Sequence, residues 1–233
     1  MMLMRRIIHG WLAWFACASA GAAAGNVSAA AADHTPAAPH FAVVSRNLMP
    51  LPHRAGAVAG APRLDLTAVL IEDTGWSEAE AVAGITEAVA ILAQCGLHPG
   101  RLTLLRVSVP DRFRDLSPQA SRILAAQIKT SRPTLYFVRN TRNRPAFDAE
   151  AFGAGNTVTR PELTGSVWIT RQAADLPETI AHELFHVLAN SGAHSEDRAS
   201  LMHRETAPGR RGLTALQCAA MLDAALQNRL MHQ

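Results

Sequence analysis

The run His182-Glu183-Leu184-Phe185-His186 lies in a segment with helical periodicity, and it constrains the fold more than any other feature of the chain. Residues four apart stack on one face of an α-helix, so the two imidazoles project together with the Glu183 carboxylate beside them. Ile180, Leu184, Val187 and Leu188 recur at the same period on a neighbouring stripe. Any fold that uses this helix must bury that stripe and leave the histidine stripe open to a cleft. Asp175-Leu176-Pro177-Glu178 reads as the helix start, with Asp175 as N-cap, Pro177 in the first turn and Glu178 three residues after the cap. Asn190-Ser191-Gly192 ends it, Gly192 being expected to take the left-handed conformation, and His194 follows the turn.

Two imidazoles on one helix face suit a divalent cation, zinc above all, which needs one more protein ligand and an open position to be catalytic. A solvated face of an amphipathic helix is the plainer reading of such a short pattern, and the surrounding cap, apolar stripe and break favour the metal. The arrangement resembles the metzincin clan of zinc metallopeptidases, whose pattern is H-E-x-x-H-x-x-G-x-x-H or Asp. His182, Glu183 and His186 match without change. The family glycine position is Ala189 and the family third-ligand position is Gly192, so the next histidine falls two residues later, at His194. We expect His194 as the third ligand because imidazole matches the other two, with Asp197 and Glu196 as the oxygen-bearing alternatives.

Ser200-Leu201-Met202-His203 looks like the Met-turn of the clan, which implies Met202 as an apolar floor beneath the metal. A closing helix then opens near Leu213, with Thr214 and Gln217 spaced as a capping box and Leu216, Ala220, Leu226 and Leu230 expected on its buried side. The resemblance implies a Zn2+-dependent peptidase acting on a peptide or protein substrate. Glu183 would be the general base that takes a proton from the attacking water and passes it to the leaving amine. It also implies an extended substrate paired with an edge strand near Phe152 to Thr157, a Gly-rich segment. Trp168 and Phe185 are pocket candidates, although core packing is the expected role of both.

Residues 1–24 carry Arg5 and Arg6, a short apolar run from Trp11 to Ala16, and small residues around Ala18-Ser19-Ala20, the pattern of a secretory signal peptide. The run is too short for a stable membrane span, so the expected location is secreted or periplasmic. Residues 25–63 are rich in Ala, Pro and Gly and read as a flexible linker, leaving 64–233 as one catalytic domain. That stretch holds no cysteine for a cysteine-switch prodomain, and nothing in its spacing favours Asp33 or its histidines as zinc ligands. Cys95 and Cys218 remain after signal removal, either as one disulfide or as two buried thiols. The net charge of +3 includes Arg5 and Arg6, so the processed chain is nearly neutral and has no electrostatic case for nucleic acid. Arg139, Arg142 and Arg144 read as a solvated loop.

Within the domain, strands are expected over 66–71, 102–109, 134–138 and 166–170, and helices over 77–95 and from Ser117-Pro118 to about Lys129. Strands alternating with helices ahead of the histidine helix predict an α/β (α+β) fold, a mixed twisted sheet covered by the ligand helix and a C-terminal helix. Two other readings of the chain are an exported zinc-binding interaction domain without catalysis, and an exported structural protein with an accidental motif.

Overall fold

Four largely buried segments, each carrying β-branched or aromatic residues, form the parallel centre of the sheet. They are β2 (Arg63–Ile71), β3 (His98–Ser108), β4 (Thr134–Phe137) and β6 (Ser166–Ile169). β1 (Ala42–Pro50) and β5 (Ala149–Phe152) add antiparallel margins on β3 and β6, giving the order β1-β3-β2-β4-β6-β5. The computed structural model describes residues 40–52, 60–143 and 148–233. The expected signal peptide lies outside the described residues, as do most of the expected linker and Arg144.

The linker reading is corrected at β1, which falls inside 25–63. Its local run Val43-Val44-Ser45-Arg46-Asn47-Leu48-Met49 is strand-competent, and averaging it with the alanine-rich flanks hides that. As an edge strand it needs one partner and little burial, and Val43, Val44 and Leu48 stay exposed.

Helices cover both sheet faces. α1 (Glu78–Leu92), α3 (Leu176–Ala189) and α4 (Ala215–Gln227) share one apolar cluster with Leu66, Leu104, Leu135, Val167 and Ile169. α2 (Pro118–Gln127) packs on the opposite face with Val69, Leu105, Tyr136 and Trp168. Gly84 lets α1 approach α3 closely, since a Cβ there would meet Leu176 at 2.7 Å. Trp168 is fully buried and stacks on Tyr136 at 4.1 Å between ring centroids, and Phe185 is also core.

Local chemistry fixes the helix starts. Ser77 and Ser117 accept from Glu80 N and Ala120 N, each at 3.1 Å, and Thr214 with Gln217 completes the expected capping box. At α3 the reading is corrected: Asp175 sits at the N-cap position but its carboxylate caps nothing. Glu178 turns instead to Gly209 N and Arg211 Nε, at 3.2 and 2.8 Å, and ties the helix start to the loop before α4.

Two further expectations fail for packing reasons. Leu216 is 81 % exposed and Ala220 is exposed too. The inward stripe of α4 is Cys218, Met221, Leu222 and Ala225, because the Cys95–Cys218 disulfide, with Cα atoms 4.9 Å apart, fixes which side faces α1 and α3. Arg139 and Arg142 lie in an exposed loop, as expected, but their guanidinium groups are committed to a buried carboxylate. Arg139 Nε and Nη2 each donate to the Asp115 carboxylate at 2.9 Å and Arg142 Nε at 3.0 Å, with Asp115 6 % exposed. Arg139 first, then Arg142, holds that carboxyl below its usual range against the opposing effect of burial.

Candidate metal centre

His182 and His186 leave the C-terminal half of α3 on the side away from Ile180, Leu184 and Leu188, which are fully buried in the core. Asn190 ends the helix in the left-handed conformation at φ 48°, a role expected of Gly192, which does not adopt a positive φ. Asn tolerates that region because its short side chain can hydrogen-bond locally. Here its Oδ1 accepts from Gly155 N at 2.8 Å. The chain then returns so that His194 faces the helix: its ring centroid lies 5.3 Å from that of His182 and 4.9 Å from that of His186. One ring nitrogen from each of the three histidines falls within 4.8 Å of the others, a group able to hold a metal ion.

The rings are oriented from outside. His182 Nδ1 lies 2.8 Å from Leu201 O, and His186 Nδ1 lies 2.6 Å from Ser191 O. A carbonyl oxygen only accepts, so both Nδ1 atoms carry hydrogen and donate, leaving each Nε2 with a bare lone pair in the neutral ring. These two Nε2 atoms face each other at 3.0 Å. Lone pairs that close repel unless a cation lies between or beside them. Burial lowers the pKa of His182, and burial with the neighbouring His182 pushes His186 down to about 4, so both rings are neutral donors at physiological pH. His194, more exposed, is lowered by burial and then by the charges of Arg204 and His203.

Met202 is buried, one residue after the carbonyl that holds His182, and its own carbonyl accepts from Ser195 N at 2.7 Å. Asp197, an alternative ligand, is committed to the loop: its Oδ1 accepts from Ala199 N at 2.9 Å. Glu196 is not part of the histidine group.

A cleft of about 550 Å³ opens over these rings. Glu183 lies on its floor, and Ala149, Glu150 and Ala151 of β5 with Gly153, Gly155 and Asn156 form one wall, so the Phe152 to Thr157 segment does border it. Ser191, Gly192, His194 and Arg204 line the other side. Burial, with the charge of Glu150 adding, raises the Glu183 pKa to about 7. Glu150 is itself raised by burial, partly offset by Arg160 and by a 3.0 Å hydrogen bond from Asn143 Nδ2. Five contributors escaped the sequence reading: Asn190 as the left-handed residue, Glu150, Arg204 and the carbonyls of Leu201 and Ser191. An Asn directly after the last helical residue signalled the first. Backbone carbonyls carry no signal.

Fold and site together define a mixed α/β protein in which a helix and the chain returning after it bring together three imidazoles able to hold a metal ion. No protein-family profile matches the chain, and no curated protein matches it in sequence. Among solved structures it is similar to the crystal structure of metalloproteinase-II from Bacteroides fragilis, at 18 % identity and a TM-score of 0.46. The match covers 76 % of this chain and 57 % of that one. Among the described residues no helix is long and apolar enough to cross a membrane.

Proposed function

We propose that the protein is a zinc-dependent peptide hydrolase that works outside the cytoplasm. The observation that carries this reading is the facing pair of Nε2 atoms, 3.0 Å apart with both Nδ1 positions committed to carbonyls and His194 closing the group. An all-imidazole donor set fits zinc, and His182, His186 and His194 would hold it. When bound, zinc supplies a lowered pKa for a water molecule and polarisation of a carbonyl oxygen.

The chain's own groups do the rest. Glu183, half-buried beside His182 on the cleft floor, accepts the proton of the attacking water at a carboxylate oxygen and delivers it to the leaving amine. Its raised pKa suits that shuttle, since an acid near neutrality both takes and returns a proton. The carbonyls of Leu201 and Ser191 orient the ligand rings, as outer partners of metal-bound imidazoles do. Among the described residues β5 has one neighbour in the sheet; Ala151 O accepts from Asn156 Nδ2, and an extended peptide laid along the cleft would pair with the rest of that edge. The Cys95–Cys218 bond supports export, because disulfides persist in oxidising compartments.

The purified protein should contain about one zinc per chain and cleave unstructured polypeptide. Glu183→Gln should keep the metal and lose turnover by about 100-fold or more. His194→Ala should bind zinc more weakly, and near-normal affinity in that variant would remove His194 from the site. Zinc without turnover in the wild type would instead favour an interaction module.

A further inference from the structure

Arg204 is one of several arginines that make no ion pair among the described residues, and it differs from Arg46, Arg112, Arg132 and Arg198 in lining the cleft over the histidines. The guanidinium groups of Arg114, Arg122, Arg139, Arg142, Arg171 and Arg211 are spent on carboxylates. Arg204 is exposed, lines the cleft over the three histidines, and pairs with no carboxylate among the described residues. The other charged groups on the lining are carboxylates with work of their own, Glu183 on the floor and Glu150 held by Asn143.

The turn bearing Arg204 is fixed on both sides. His203 Nδ1 accepts from Glu205 N at 3.2 Å and from Arg210 Nη1 at 3.0 Å, and Arg210 Nη1 also donates to Glu205 O at 2.6 Å. Arg210 thus clips together the residues before and after Arg204, and among the described residues the Arg204 guanidinium makes no hydrogen bond or ion pair, its charge being felt at His194. A forked guanidinium presented on a cleft wall matches a planar carboxylate and repels a cation.

We propose that Arg204 receives a carboxylate of the substrate, so that the site prefers peptides bearing an Asp or Glu side chain, or a free C-terminus, near the bond that is cut. This rests on the reading of the cleft as a peptide hydrolase. Both sources offer the same ligand chemistry, and peptide design separates them.

The test uses zinc-loaded protein carrying Glu183→Gln, titrated calorimetrically with blocked peptides that differ in one group. One pair has Glu or Gln at a single position, and the other ends in a free carboxylate or an amide. With Arg204 intact, one member of a pair should bind about fivefold tighter than its neutral partner, the order expected of a partly exposed ion pair. The pair that shows the preference identifies the source. Arg204→Gln should abolish the ratio, Arg204→Lys should keep part of it, and Arg204→Glu should shift preference to peptides with Lys at that position. Equal affinities within both pairs, a ratio unmoved by Arg204→Gln, or no measurable binding of any peptide would overturn the proposal. Because the readout is binding with the base removed, failure of the wild type to cleave peptides counts against the hydrolase reading and leaves the binding ratio to judge Arg204.

Discussion

Glu183 and His186 are neighbours on one helix face whose burial acts on them with opposite sign. In the metal-free protein the Glu183 carboxyl titrates near 7 against an ordinary 4.5, so the native state binds the extra proton between those values. Its contribution to stability is therefore full at low pH and is lost as pH rises through about 7. His186 is depressed to about 4 from 6.5, so the unfolded chain binds the extra proton; its contribution is present above 6.5 and is lost as pH falls toward about 4. Between these limits the two slopes oppose each other. Glu183→Gln should expose the histidine slope, to which His182 and His194 also contribute, at most about 1.4 kcal/mol per pH unit for each depressed imidazole. Relative to the parent, the chelator-treated variant should gain stability at pH 8 and lose that advantage steadily toward pH 4.5. Thermal unfolding of both proteins across that range checks this, and a flat difference curve would refute the opposed titrations.

At the scale of elements, the end of α3 decides how the cleft is walled. Asn190 supplies the left-handed turn that brings the chain back with His194, and its carboxamide fastens the Gly153 to Asn156 wall to the helix. Asn190→Gly should keep the turn and release the wall, whereas Asn190→Ala loses both. The Ala variant should be less stable than the Gly variant by about 1 kcal/mol, read by denaturant unfolding, and an Ala variant of equal stability would deny Asn190 its turn role. α1 and α2 were legible from their capping serines, α3 from its apolar period although Asp175 caps nothing, and α4 from its capping box although Leu216 and Ala220 of the expected stripe are exposed. The central strands were legible as apolar stretches carrying β-branched or aromatic residues, Thr67, Val69 and Ile71 in β2 and Val167, Trp168 and Ile169 in β6 among them. β5 was not: Ala149-Glu150-Ala151-Phe152 has no β-branched residue, and its strand conformation comes from pairing with β6. The same limit applies at the site. The spacing of His182 and His186 placed two imidazoles on one helix face, while the left-handed residue that returns the chain toward His194 was not legible, its carboxamide accepting from Gly155, far away in sequence.

Across the whole molecule, the Cys95–Cys218 bond closes a loop with a sequence separation of 123 residues between the end of α1 and the C-terminal helix. Chain entropy assigns a cross-link of that span about 5 kcal/mol. Cys218→Ser, or reduction, should lower the melting temperature by about 10–20 °C, measured calorimetrically with and without reductant. Met221 and Ala225 are the side chains of α4 that reach full burial, so noncovalent packing alone seats this helix lightly. Reduced, this tail should therefore come loose and bare the apolar underside of α3 to added protease, whereas the oxidised protein should resist the same digestion.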